Sequence, residues 1–243
     1  MSLTVLITRP ERSALQLADT LRTRWGCGVE MVVSPVLEIE PTGETVDLDN
    51  VQTLIFTSQH GVSAFCDASD RRDLPCYVVG PATADTARAA GLKTVQADGD
   101  AKALIHVLIS AGATPPFLHI RGTHVTGDLA QTLEAEGLPT VEAVLYSQVE
   151  QRLNERANDC LTRGTPVILP LFSPRSAKIL FSQVHPAAQL YVAAISPNVA
   201  ANVPEAVVNS LLVAEKPNSD AMLTVLDQAF EQAKRLEGAN RAK

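Results

Sequence analysis

The chain has 243 residues, of which 46% are hydrophobic and 19% charged, with a formal net charge of -7. That composition suits a globular fold and excludes disorder, and the acidic balance argues against a nucleic-acid groove, which needs clustered Lys and Arg. No apolar run approaches the roughly 20 residues of a membrane helix, and the opening MSLTVLITRP reads as a first strand and not a signal peptide, so the cytoplasm is the expected compartment.

In chain order, Leu3–Thr8 is a β-rich run ending at Arg9-Pro10. Glu11–Arg24 follows, with Ala14, Leu15, Leu17, Ala18 and Leu21 at helical spacing. Val29–Val33, Leu54–Thr57, Tyr77–Val79, Phe117–Ile120, Val141–Leu145, Val167–Phe172 and Val192–Ile195 read as further strands. His60–Asp67, Ala82–Ala90, Ala101–Ala111 and Val125–Glu136 read as helices. Strands alternating with helices of this length imply βαβ units and parallel sheets flanked by helices. The charged tail after about Ala229 carries no functional signal.

An internal repeat adds the domain organisation. Leu6-Ile7-Thr8-Arg9-Pro10 with Leu17-Ala18-Asp19-Thr20-Leu21 returns as His119-Ile120-Arg121-Gly122 with Leu129-Ala130-Gln131-Thr132-Leu133. A second pair of corners, Phe56-Thr57-Ser58 and Val79-Gly80-Pro81-Ala82-Thr83, returns as Phe172-Ser173-Pro174 and Ile195-Ser196-Pro197-Asn198. The order A, B, A′, B′ predicts two similar α/β domains, paired either sequentially or crosswise. Crossed pairing requires two passages of chain, for which Val36–Pro41 and Leu145–Val149 are candidates able to pair as a two-stranded linker.

The repeated corners fall where strands hand over to helices, and the free N–H groups of helix starts suit carboxylates. Thr57, Ser58, Gln59, Thr83, Ser173, Ser196 and Asn198 supply hydroxyl or amide side chains there. Any one such corner is equally an ordinary N-cap. Arg9 and Arg121 sit at matching ends of strands and are either carboxylate receptors or structural ion pairs. Arg175 stands in a first helical turn, where a cation opposes the dipole unless an anion is near. Tyr146 lies on the second passage and is either a proton donor or a filler of the linker. The five histidines form no ligand pattern, so no metal is expected. Cys27, Cys66, Cys76 and Cys160 lack CxxC spacing and are expected as buried or half-buried free thiols. Neither GxGxxG nor GxxxxGK[ST] occurs, which weakens a nucleotide-dependent reading.

The ordered series Ile7-Thr8-Arg9-Pro10, Ile55-Phe56-Thr57-Ser58, Val79-Gly80-Pro81-Ala82-Thr83-Ala84, Ile120-Arg121-Gly122, Val144-Leu145-Tyr146, Phe172-Ser173-Pro174 and Ala194-Ile195-Ser196-Pro197 resembles the uroporphyrinogen-III synthase family, to about Pro217. The resemblance implies crossed domains, residues 1–36 with 150–243 and residues 39–145. Linker strands 36–41 and 145–149 would join them, with the active site in the cleft. It implies hydroxymethylbilane as substrate, no cofactor, and a cytoplasmic monomer touching the preceding pathway enzyme at most transiently. The implied reaction expels the ring A hydroxyl as water, forms a spiro intermediate at ring D and recloses with that ring inverted. Tyr146 matches the tyrosine that assists loss of the hydroxyl, and Ser58, Thr83 and Ser173 match substrate-facing hydroxyls. Asn198 departs from the threonine frequent in the last corner. The fold pattern alone fits a non-catalytic binding protein for an anionic small molecule equally well.

Overall fold

The computed structural model describes residues 3–97, 99, 101–124, 127–184 and 186–241. The chain divides into two compact units, Met1–Glu38 with Glu150–Lys243, and Ile39–Val149.

The first unit holds a five-stranded sheet whose paired strands all run parallel. Its strands are β1 (Thr4–Ile7), β2 (Glu30–Val33), β9 (Pro166–Leu171), β10 (Gln189–Ala194) and β11 (Ser210–Val213), in the order β11-β10-β9-β1-β2. The helices are α1 (Glu11–Trp25), α6 (Glu155–Thr162), α7 (Pro174–Gln183), α8 (Pro197–Ala200) and α9 (Ser219–Arg241). Successive side chains of a strand point to opposite faces. Val5 and Ile7 accordingly pack with α1 and α9, while Leu6 packs in a second cluster with α6 and α7. A strand apolar on both faces is the mark of a parallel sheet covered on both sides.

The second unit repeats this plan. Its strands are β3 (Leu37–Pro41, of which Leu37 and Glu38 belong to the first unit), β4 (Thr53–Phe56), β5 (Pro75–Val79), β6 (Lys93–Ala97), β7 (Phe117–Gly122) and β8 (Thr140–Glu150, of which Glu150 belongs to the first unit). Its helices are α2 (Gln59–Ala68), α3 (Pro81–Ala89), α4 (Ala101–Ser110) and α5 (Leu129–Ala135). The order β3-β8-β7-β4-β5-β6 matches the first sheet strand for strand once β3 is set aside. Leu54 and Phe56 pack with α2 and α3, and Ile55 packs with α4 and α5. The sheet orders place β1 beside β9 and β7 beside β4, so each A unit is joined to the B unit from the other repeat.

Several elements depart from the sequence expectations. The segment Val141–Leu145 and the passage Leu145–Val149 are one continuous strand, β8, with β3 as its neighbour in the sheet. The helix expected over Val125–Glu136 is observed as Leu129–Ala135, and residues 125 and 126 lie outside the described residues. Cys27 is exposed, because it follows the Gly26 turn that ends α1, whereas Cys76 and Cys160 are buried. Burial pushes the Cys76 thiol up to about 12 and the Cys160 thiol up to about 11, so both stay protonated.

The charged C-terminal tail belongs to α9. Met222, Val225, Leu226, Ala229 and Ala233 form its buried stripe, and Glu231, Lys234 and Arg235 lie exposed outside that stripe. Asp227 accepts from Arg24 Nε at 2.7 Å and from Trp25 Nε1 at 2.8 Å, and Trp25 stacks on Phe230 at 4.7 Å. These contacts tie the last helix to the end of α1. Replacing the fully buried Leu226 by Ala should lower unfolding free energy by about 2–5 kcal/mol, read from urea denaturation. A change below about 1 kcal/mol would show that α9 is not part of the core.

Candidate active site

Parallel strands deliver their chains to helices at the carboxyl edge of each sheet, so the catalytic candidates collect there. In the second unit, Phe56 ends β4 and Ser58 caps α2, its hydroxyl accepting from the His60 N–H at 3.1 Å. Gln59 opens that helix. In the first unit Ser173 caps α7, accepting from the Ser176 N–H at 3.3 Å, and Ser196 caps α8, accepting from Val199 N–H at 3.4 Å. A capping hydroxyl uses a lone pair toward the helix and keeps its own proton to donate. The N-cap role and a ligand-facing role are therefore compatible in the same serine. Thr83 is in the first turn of α3 and is buried. Asn198 is exposed in the short α8, where its carbonyl accepts from the Asn202 amide.

The two matching arginines have different surroundings. Arg9, in the corner after β1, lays its guanidinium over the Phe172 ring at 3.9 Å from Cζ to centroid. Among the described residues no carboxylate lies within ion-pair distance of it, and burial lowers its pKa without discharging a guanidinium. Arg121 lies inside β7. Its Nε is 2.8 Å from Glu142 Oε2, an ion pair lying off the hydrogen-bonding line, and its Nη1 donates to the Gly122 carbonyl at 3.0 Å. Strand alternation explains the difference, because Arg121 shares a face with Glu142 of the neighbouring β8. The anionic neighbour of Arg175 comes from its own unit, Glu150 Oε1 at 3.7 Å.

Tyr146 is 5% exposed and belongs to the second unit. Its ring stands 6.0 Å from that of His60, and its oxygen engages the Ser58 side chain and the Gly122 backbone. Burial raises its pKa against the opposing pull of those two hydrogen bonds, so the phenol carries its proton at neutral pH. The structure thus brings Ser58 and Tyr146 together and places Thr57 next to them.

His119 is a participant that sequence reasoning quoted only as part of the repeat. It is 3% exposed, with Nδ1 3.1 Å from Glu142 Oε1 and Nε2 3.4 Å from the Thr57 hydroxyl. A carboxylate only accepts, so the proton sits on Nδ1 and Nε2 is left as an acceptor for Thr57. The available signal was positional: His119 and Arg121 alternate onto one face of β7, opposite Glu142 on β8.

Burial holds the His119 pKa below its ordinary 6.5, and Glu142 only partly offsets this. Unfolding frees the ring to protonate, so below about pH 6.5 the unfolded chain binds more protons and stability falls with pH. His119→Gln should therefore lose less stability than the parent between about pH 7 and 5 in urea unfolding. Parallel losses in the two proteins would exclude His119 as the source.

Comparison with known proteins follows the same lines. The family described as uroporphyrinogen-III synthase HemD matches residues 16–224. The solved uroporphyrinogen-III synthetase of Helicobacter pylori is similar, with a TM-score of 0.64 at 17% identity, covering 93% of this chain and 98% of that one. A mutant uroporphyrinogen III synthase from the extremely thermophilic bacterium Thermus thermophilus gives a TM-score of 0.53 at 15% identity, covering 95% of this chain and all of that one. At such identities the structures show a common fold. Comparison with curated proteins gives no significant match. The family match extends over most of the chain, from α1 into α9, and on it the chain belongs to the uroporphyrinogen-III synthase family.

Proposed function

We propose that this chain performs the family reaction on hydroxymethylbilane, expelling the ring A hydroxyl as water and closing the macrocycle with ring D inverted. The observation that carries this reading is the buried, protonated Tyr146 phenol, held by Ser58 at the start of α2.

Loss of the hydroxyl needs a proton, or a strong hydrogen bond, delivered as water departs. Tyr146 fits because burial keeps its proton on at neutral pH, and the Ser58 and Gly122 contacts stabilise the phenolate that donation would leave. After the spiro intermediate fragments and recloses on ring D, a proton lost from the new ring junction restores neutrality and can return to the phenolate. The substrate carries many carboxylates. Arg9, a cation with no carboxylate partner among the described residues, is the primary receptor in the first unit. Ser173, Ser196 and Asn198 add hydroxyl and amide donors there, and Thr57, Ser58, Gln59 and Thr83 do so in the second unit. Arg121 is committed to Glu142, so its role on substrate is secondary to holding β7 and β8 in register. Binding fixes the reacting ends near each other, and template geometry then selects the inverted product. The four cysteines are free, which suits a reducing cytoplasm, and on this reading the chain works as a monomer. On this reading, contact with the enzyme that supplies the unstable substrate is transient.

Incubation with enzymatically generated hydroxymethylbilane should yield uroporphyrinogen III, whereas formation of uroporphyrinogen I alone would overturn the reading. Tyr146→Phe should lower kcat by roughly 10- to 1,000-fold while the protein folds normally, measured by initial rates and thermal melts. Arg9→Gln should act on KM instead, raising it about 10- to 100-fold through loss of one charge-assisted contact. An unchanged KM would remove Arg9 from the binding set.

A further inference from the structure

We infer that Gly122 is the positioning residue for Tyr146: its missing side chain, with a β-bulge at Leu145, lets the phenol ring lie against the end of β7 and reach Ser58.

The strand register supplies the first half of the argument. Pairing of β7 with β8 advances one for one from Phe117↔Thr140 to Arg121↔Val144, and then Gly122 pairs with Tyr146. Leu145 is the extra residue. In an unbroken strand Tyr146 would follow Glu142 and Val144, on the face where His119 and Arg121 meet Glu142. A bulge lets two successive side chains share a face. Leu145 packs with Val62 and Phe65 of α2, and Tyr146 falls beside it, against His60 and Ser58 of the same helix.

Close approach supplies the second half. A Cβ on Gly122 would stand 2.5 Å from Cε2, 2.7 Å from Cζ and 3.0 Å from Cδ2 of the Tyr146 ring. Carbons at rest keep about 3.5–4.0 Å. Gly122 is not among the positive-φ glycines, so its backbone would accept alanine and only the ring forbids a side chain. A buried aromatic ring is rigid and cannot fold away as a lysine tip would. Gly61 works from the other side. A Cβ there would lie 3.0 Å from the Ile120 carbonyl oxygen, so glycine brings α2, and with it Ser58, down onto β7. The ring therefore lies against Gly122 and beside the capping Ser58, whose helix Gly61 seats on β7.

The kinetic part of this inference rests on Tyr146 as the proton donor, while the packing part stands without it. Both are tested on the full chain with Gly122→Ala, Tyr146→Phe and Tyr146→Ala, singly and combined. Gly122→Ala should lower kcat about 10-fold or more and leave KM within about twofold. Combined with Tyr146→Phe it should cost nothing further in kcat, because its effect passes through the phenol. Gly122→Ala should also lower Tm by about 3–10 °C in the parent and not in the Tyr146→Ala background, where the obstructing ring is gone. If Gly122→Ala fails to fold, recovery of a folded double variant with Tyr146→Ala supports the inference equally. Multiplying kcat losses, or an equal Tm loss in both backgrounds, would overturn it. A fully active Tyr146→Phe would remove the proton-donor reading alone, and the Tm comparison would still decide whether Gly122 places the ring.

Discussion

A parallel sheet has to be covered on both faces, and that requirement organises this molecule. The central strands bury apolar side chains alternately up and down, as Val5, Leu6 and Ile7 do in one unit and Leu54, Ile55 and Phe56 do in the other. Covering both faces forces the chain to return through helices. Every return begins at the carboxyl edge of a strand, so helix N-termini gather along one edge of each sheet. Ser58, Ser173 and Ser196 stand there because helix starts need caps, each contributing about 1 kcal/mol. The same hydroxyls and free amides then face whatever binds at that edge.

On the proposed function, this arrangement resolves an apparent mismatch between an acidic protein and a polycarboxylate substrate. A net charge of -7 is a property of the whole surface, whereas recognition depends on a few local donors. Arg9 is held half-buried over Phe172 with no acidic partner among the described residues, and such a cation is attracted to an incoming carboxylate more strongly than one already paired. Its repeat counterpart Arg121 has such a partner in Glu142, which also holds His119. One half of the repeat thus keeps the cation available, and the other has absorbed it into a polar cluster that ties three adjacent strands together at Thr57, His119 and Glu142.

Tyr146 shows how packing sets chemistry without a charged neighbour. Its acidity is governed first by burial, and the hydrogen bonds from Ser58 and Gly122 act in the opposite sense. The outcome is a neutral donor next to groups that can stabilise the anion it becomes. On the proposed function that would serve to expel a hydroxyl from an electron-rich pyrrole, where a strong acid is unnecessary and a fixed direction of approach matters more. Two glycines and one extra strand residue set that direction.

The alternation of strands and helices, the repeat and the corner residues were legible in the sequence because they follow from local periodicity and from capping preference, which act over a few residues. The resemblance built on those corners led to the right family for the same reason. The helix α9 was missed where its charges drew attention away from the stripe Met222, Val225, Leu226 and Ala229, whose spacing was present all along. Other features required the tertiary structure, since they are relations between residues far apart in the chain. Cys27 is exposed because a turn ends α1 just before it. The contrast between Arg9 and Arg121 comes from neighbours on other strands, Phe172 in one case and Glu142 in the other. The sequence determined that a tyrosine and a glycine stand at 146 and 122. Only the register of β7 against β8, with Leu145 bulged, decided that the ring of one fills the space left by the other, because register is a sum over whole strands and no local pattern contains it.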